Sequence, residues 1–79
     1  MTPKEKYDEI FRQTFLLTDE EVLSDKDVLN TESWNSVEHM TFICAMEDAF
    51  GISIADDEIM SCTSYLAGME LLRKHGVNL

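Results

Sequence analysis

The sequence is poor in basic residues. Its 79 residues contain six Lys and Arg against sixteen Asp and Glu, which gives a net charge of −10. A field of this sign repels nucleic-acid phosphates and anionic membranes and attracts basic partners, so nucleic-acid binding is disfavoured. No apolar run reaches the roughly 18 residues that a membrane-spanning helix needs, and we expect no membrane insertion.

Cysteine is also scarce. Cys44 and Cys62 have no Cys-x-x-Cys spacing, which argues against a zinc site or a disulfide framework and favours two buried, reduced thiols. We predict no metal site. The segment 1–6 contains no apolar core of a secretion signal, so we expect a cytoplasmic protein.

Helical signals dominate what is present. Thr2, Pro3 and Glu5 form a capping signal, and an apolar stripe at helical spacing follows it to Leu16-Leu17. The members of the stripe are Tyr7, Ile10, Phe11, Thr14 and Phe15. The acidic segment 18–35 follows as a long loop, which a helical turn at 19–23 would shorten. Its apolar residues are expected to anchor it to the core: Val22, Val28, Leu29 and Trp34.

Three further helices are predicted. Asn35 and Gly51 delimit the second, over 36–50, and a short acidic helix follows within 55–60. Thr63 or Ser64 begins the last, which ends before Gly76 and whose apolar positions are Tyr65, Leu66, Met69 and Leu72. No strand pattern appears. We therefore predict an all-α fold, a small four-helix bundle with three main helices, a short third helix and a long first loop, as one domain over residues 1–79.

The second helix has two apolar faces. At 100° per residue, one arc contains Phe42, Ile43, Met46, Ala49 and Phe50, and this arc is the predicted core face. Val37, Met40 and Cys44 fall near the opposite side, among acidic residues. The helix could be buried all round, or these could be scattered exposed apolar residues of the kind common on any surface. Alternatively, the second stripe is an exposed patch that docks a partner.

Ser36 opens this helix within the segment Trp34-Asn35-Ser36-Val37, and the helix ends in Glu47-Asp48-Ala49-Phe50-Gly51. Together with the order of helices, this motif resembles the phosphopantetheine-attachment segment of acyl carrier proteins over nearly the whole chain. The alternative is that Ser36 is an ordinary serine at a helix start. A Ser36–His39 hydrolase is disfavoured because no orienting acid or oxyanion-hole signature accompanies the pair.

The resemblance implies a non-enzymatic carrier whose Ser36 bears 4′-phosphopantetheine from coenzyme A, installed by a phosphopantetheinyl transferase. It also implies docking of acyl-loading, modifying and transferring enzymes through basic patches, by a carrier that we expect to be monomeric. The implied docking residues are Asn35, Val37, Glu38, Met40, Thr41, Cys44, Glu47, Asp48, Asp56 and Asp57. The candidate acyl-pocket residues in the bundle interior are Phe42, Met46, Ile54, Ile59 and Met69.

The motif departs from the family pattern at two positions. Asn35 stands where most acyl carriers have Asp, and Val37 where Leu is commonest. Asn caps a helix as well as Asp does, so the lost charge bears on recognition by the transferase rather than on folding. The flanking Trp34 and His39 resemble carriers of specialised pathways, such as polyketide synthesis, more than the fatty acid carrier. An aminoacyl carrier and an unmodified acidic interaction module remain alternatives.

Overall fold

The computed structural model describes residues 1–79 and contains four helices. They are α1 (Pro3–Phe15), α2 (Ser36–Phe50), α3 (Asp56–Ser61) and α4 (Tyr65–Lys74). The predicted all-α bundle is confirmed, with the short third helix and the long first loop. No helix combines the length and the apolar character that crossing a bilayer would require.

The ends of the helices follow the capping signals. Thr2 and Glu5 form the reciprocal capping box of α1. Helix α1 ends at Phe15 rather than at Leu17, because Leu16 adopts a left-handed conformation with φ of 56° and the Leu17 N–H turns back to the Arg12 carbonyl at 2.9 Å. Gly51 ends α2 in the same conformation, with φ of 63°, and Ser64 begins α4 by accepting from the Ala67 N–H at 3.0 Å.

The long loop is fixed mainly by residues other than those expected. Trp34 is buried as predicted, but the other buried positions are Leu23 and Thr31. Val22 and Val28 are exposed, and Leu29 is 94% exposed. The expected helical turn at 19–23 is a hydrogen-bonded turn instead, with the Glu21 N–H on the Thr18 carbonyl.

A tight turn explains the exposure of Leu29. The Asp27 carboxylate accepts from the backbone N–H groups of Leu29 and Asn30 at 2.8 and 3.0 Å, and the Asn30 side chain accepts from the Asp27 N–H. This local hydrogen bonding points Leu29 outward. Beside the turn, the Val28 N–H donates to the Thr63 carbonyl at 3.0 Å, so the loop is attached to the start of α4.

The core is one cluster of 14 buried side chains from α1, the long loop, α2, α4 and the segments on either side of α3. Aromatic rings fill its centre: Phe11 makes edge contacts with Trp34, Phe42 and Tyr65 at centroid distances of 5.3 to 5.5 Å, and Phe15 stacks on Trp34 at 4.2 Å. Leu66 was expected on the core face of α4 but is exposed, because the face that begins at Tyr65 continues through Gly68, Met69 and Leu72.

Candidate functional site

Ser36 is the first residue of α2 and is exposed. The turn around it is held by other groups: the Asn35 side chain accepts from the Glu38 N–H at 2.9 Å, and the Thr41 hydroxyl donates to the Val37 carbonyl at 3.1 Å. The second half of the expected capping box, in which the Asn35 backbone N–H would donate to the Glu38 carboxylate, is not formed. The fold therefore presents the Ser36 hydroxyl at the positive end of a 15-residue helix without using it to form the turn.

The outer stripe of α2 is exposed. Val37 is 71% exposed and Met40 is 45% exposed, and Thr41 and Cys44 are also at the surface. These residues line a shallow groove of about 760 Å³ that begins at Ser36 and ends at Asp48. The helix is therefore not buried all round.

The two cysteines differ. Cys44 is exposed and not buried as expected, since it lies on the outer stripe of α2. Cys62 is buried, as predicted, and burial raises the pKa of its thiol to about 12. A thiol of that pKa stays protonated near neutral pH and is unreactive.

The acidic docking candidates fall into two groups. Asp48, Asp56 and Asp57 are exposed, and the last two lie in the first turn of α3. Glu38 and Glu47 are half-buried. The Glu47 carboxylate accepts from the Ile54 N–H at 2.9 Å, so it holds the segment between α2 and α3 and is not the free surface charge that was predicted.

The acyl-pocket candidates are core side chains. Phe42, Met46, Ile54 and Met69 belong to the buried cluster, and Ile59 packs against it. Phe42 lies among the rings of Tyr7, Phe11, Phe15 and Trp34 at centroid distances of 5.3 to 6.0 Å. Around Phe42, packed aromatic rings occupy the space in which a pocket was expected.

A second groove opens on the other side of Ser36. It has a volume of about 540 Å³ and is lined by side chains from the loop, α2, α3 and the segment between α3 and α4. Its lining residues are Val28, Trp34, Asn35, Ser36, His39, Met40, Met60 and Thr63. Val28, Met60 and Thr63 were not predicted as site residues. They come from segments that are distant in sequence and meet only in the folded protein, so no local pattern marks them.

His39 connects three segments at the edge of this groove. The Trp34 indole N–H donates to His39 Nδ1 at 3.0 Å, and His39 Nε2 lies 2.7 Å from the Ile59 carbonyl. An indole N–H can only donate and a carbonyl can only accept. Nδ1 is therefore the acceptor, Nε2 carries the proton, and the ring is the neutral tautomer in these contacts.

No group of three or more His, Cys, Asp or Glu side chains in the structure is arranged to hold a metal ion. A scan against protein-family models found no match, and a search of curated proteins found no significantly similar sequence. A functional assignment therefore has to come from the residues around Ser36.

Proposed function

We propose that the protein is a discrete acyl carrier in which Ser36 bears a 4′-phosphopantetheine arm. The observation that carries this proposal is the exposed Ser36 at the first residue of a capped helix, on the border of two apolar grooves in an acidic surface. When bound, the arm supplies a thiol that holds an acyl group as a thioester.

The surroundings of Ser36 fit such a group. The Asn35 cap leaves the hydroxyl free, and a phosphoryl group on it would meet the positive end of the α2 dipole. His39 is three residues away but offers Ser36 no base, because Nδ1 accepts from Trp34 and Nε2 donates to Ile59. This supports a carrier that a separate transferase modifies, with catalysis left to partner enzymes, over a Ser-His hydrolase.

The exposed stripe of α2 is the proposed docking surface for those enzymes. Val37 and Met40 supply apolar contact area, and the carboxylates of Asp48, Asp56 and Asp57 supply charge. With a net charge of −10, the protein attracts enzymes that carry a basic patch beside an apolar contact.

Intact-mass measurement after incubation with coenzyme A and each of several phosphopantetheinyl transferases tests the proposal. The wild type should gain one arm, Ser36→Ala should gain none, and Ser53→Ala, which alters another exposed serine, should behave as the wild type. An arm on the Ser36→Ala protein would show that another residue is the attachment site. No arm on the wild type with any transferase would favour an unmodified interaction module.

An aminoacyl carrier is the second candidate. The aromatic packing of the interior favours it, because an aminoacyl cargo requires no chain-length cavity inside the bundle. The cargo can be released from the protein in cells with hydroxylamine and identified by mass spectrometry. The adduct of an amino acid contains an amine that the adduct of a simple acyl group lacks, so this measurement distinguishes the two carriers.

A further inference from the structure

The bundle interior is filled. Eight large side chains of the core are essentially inaccessible to solvent, and all are aromatic or apolar: Tyr7, Phe11, Phe15, Phe42, Ile43, Met46, Leu72 and Cys62. Protein interiors of this kind are packed as densely as organic crystals, so admitting a chain of methylene groups would require displacing rings that contact one another. A cargo that enters the bundle would have to break this packing.

Tyr7 closes the side of the bundle between α1 and α4. Its ring packs where a side chain of Gly68 would lie, and a Cβ at Gly68 would overlap the Tyr7 hydroxyl oxygen. That hydroxyl also donates to the Tyr65 carbonyl at 2.7 Å. The glycine in α4 therefore accommodates Tyr7 and leaves no empty space for a cargo.

The groove beside Ser36 is open and apolar. Met60, which is 79% exposed, and Met40 line it together with the largely buried Trp34. Thioether side chains adapt to irregular partners, and the indole presents an apolar face. A small apolar group placed here would be removed from water without disturbing the core.

The polar side chains that line the groove are uncharged. The Trp34 indole N–H donates to His39 Nδ1, and the His39 Nε2–H donates to the Ile59 carbonyl. The lining contains no Lys, Arg, Asp or Glu, whereas the surrounding surface is acidic. An anionic cargo would find no counter-charge in the groove and would be repelled by the surface around it.

We propose that cargo carried on Ser36 stays outside the bundle and that this groove binds it as a short, uncharged acyl group. The inference rests on the proposed carrier function. It concerns residues that neither the attachment nor the proposed docking surface needs, namely Val28, Met60 and Thr63, and so it can fail while the carrier function holds.

The five methionines are suitable probes. Met40 and Met60 line the groove, Met46 and Met69 are buried in the core, and Met1 is exposed on the N-terminal side of α1.

The protein is labelled with ¹³C on the methionine methyl groups, and a transferase loads it with pantetheine, butyryl-, succinyl- or dodecanoyl-pantetheine. Relative to the unacylated arm, butyryl should shift the Met40 and Met60 resonances and leave those of Met46, Met69 and Met1 in place. Succinyl should shift none of them, and dodecanoyl should leave Met46 and Met69 in place.

Met60→Ser should reduce the shift that butyryl produces at Met40. The matched control Val22→Ser, which alters an exposed apolar residue of the loop, should not reduce it. Shifts at Met46 or Met69, or a melting temperature that rises with chain length, would show that the cargo enters the bundle and would overturn the inference. If no methionine resonance shifts on a protein that mass measurement shows to be loaded, the inference is also overturned, and the carrier function stands. A protein that accepts no arm would overturn both.

Discussion

Trp34 and His39 are joined by a hydrogen bond of 3.0 Å from the indole N–H to Nδ1, one turn away from Ser36. Through its other ring nitrogen His39 also bonds the Ile59 carbonyl in α3. A single imidazole thus fixes the end of the long loop, the start of α2 and the end of α3 relative to one another. The position of Ser36 and the shape of the adjoining groove both depend on it.

Replacing His39 should therefore loosen this region. His39→Ala removes two hydrogen bonds of about 1 kcal/mol each, so we expect a loss of about 2 kcal/mol in unfolding free energy. His39→Asn retains an acceptor near the Nδ1 position and His39→Gln a donor near the Nε2 position, so each should lose about half as much. Urea unfolding followed by the emission of Trp34, the only tryptophan, measures both effects.

His75→Ala is the control for the His39 series. The His75 side chain contacts Glu58 at 3.1 Å and makes no hydrogen bond to Trp34 or His39. Its removal should therefore leave the native Trp34 emission unchanged. If His39→Ala unfolds at the wild-type urea concentration with wild-type emission, His39 does not fix this region.

Local sequence signals predicted the helices well. Asn35 and Gly51 are strong boundary residues, and the stripe of α1 has one period and one buried face, so both elements follow from local preference. Leu29 shows the limit: its apolar side chain suggested an anchor, but the turn built by Asp27 and Asn30 orients it outward. Met60 and Val28 share a groove only through tertiary contacts, which no periodicity reports.

The contact between Tyr7 and Gly68 predicts an unusual response to Gly68→Ala. Alanine normally stabilises a helix by about 1 kcal/mol relative to glycine. Here the new methyl group would overlap the Tyr7 hydroxyl, and overpacking of this kind typically destabilises by about 1–3 kcal/mol. We therefore expect a net loss of stability, measured by denaturant unfolding.

Tyr7→Phe should partly rescue Gly68→Ala, because it removes the clashing oxygen. The double variant should be more stable than the sum of the single effects predicts, by about 1 kcal/mol or more. Gly76→Ala is the matched control. It is strained by a φ of +87° with nothing within 4 Å of the added carbon, so Tyr7→Phe should not rescue it. Strict additivity at Gly68 would contradict the contact.

The lowered pKa of the Glu58 carboxyl predicts part of the pH dependence of stability. The Ala55 N–H lowers the pKa of its carboxyl below the ordinary 4.5, with help from His75 and Lys74. A lowered folded-state pKa means that the stabilisation is complete above pH 4.5 and is lost as the pH falls through the folded value. Glu58→Gln should therefore destabilise at pH 7 and lose less stability on acidification than the wild type. Glu20→Gln, at an exposed carboxylate of the loop, is the control and should follow the wild-type profile.

Two adjacent carboxylates of α2 should behave differently. Glu47 is half-buried and accepts from the Ile54 N–H, whereas Asp48 is exposed. Glu47→Ala should lower the unfolding free energy by about 1.5 kcal/mol, because a hydrogen bond to a charged group is lost. Asp48→Ala should stay within about 0.5 kcal/mol of the wild type. Equal losses in thermal or urea unfolding would contradict the structural role of Glu47.

Docking through α2 should divide into a charged and an apolar part, if the carrier function holds. Asp48→Lys should slow transfer to a partner enzyme that carries a basic patch, and the defect should shrink as salt rises, because exposed charges are screened beyond about 8 Å at physiological ionic strength. Met40→Ala should weaken transfer with little salt dependence, since it removes apolar contact area.

Both variants should keep wild-type melting, because both side chains are exposed. Val22→Ala, at an exposed apolar residue outside the α2 stripe, should transfer as the wild type does. A Met40→Ala protein that melts normally and transfers at the wild-type rate would show that partners dock elsewhere.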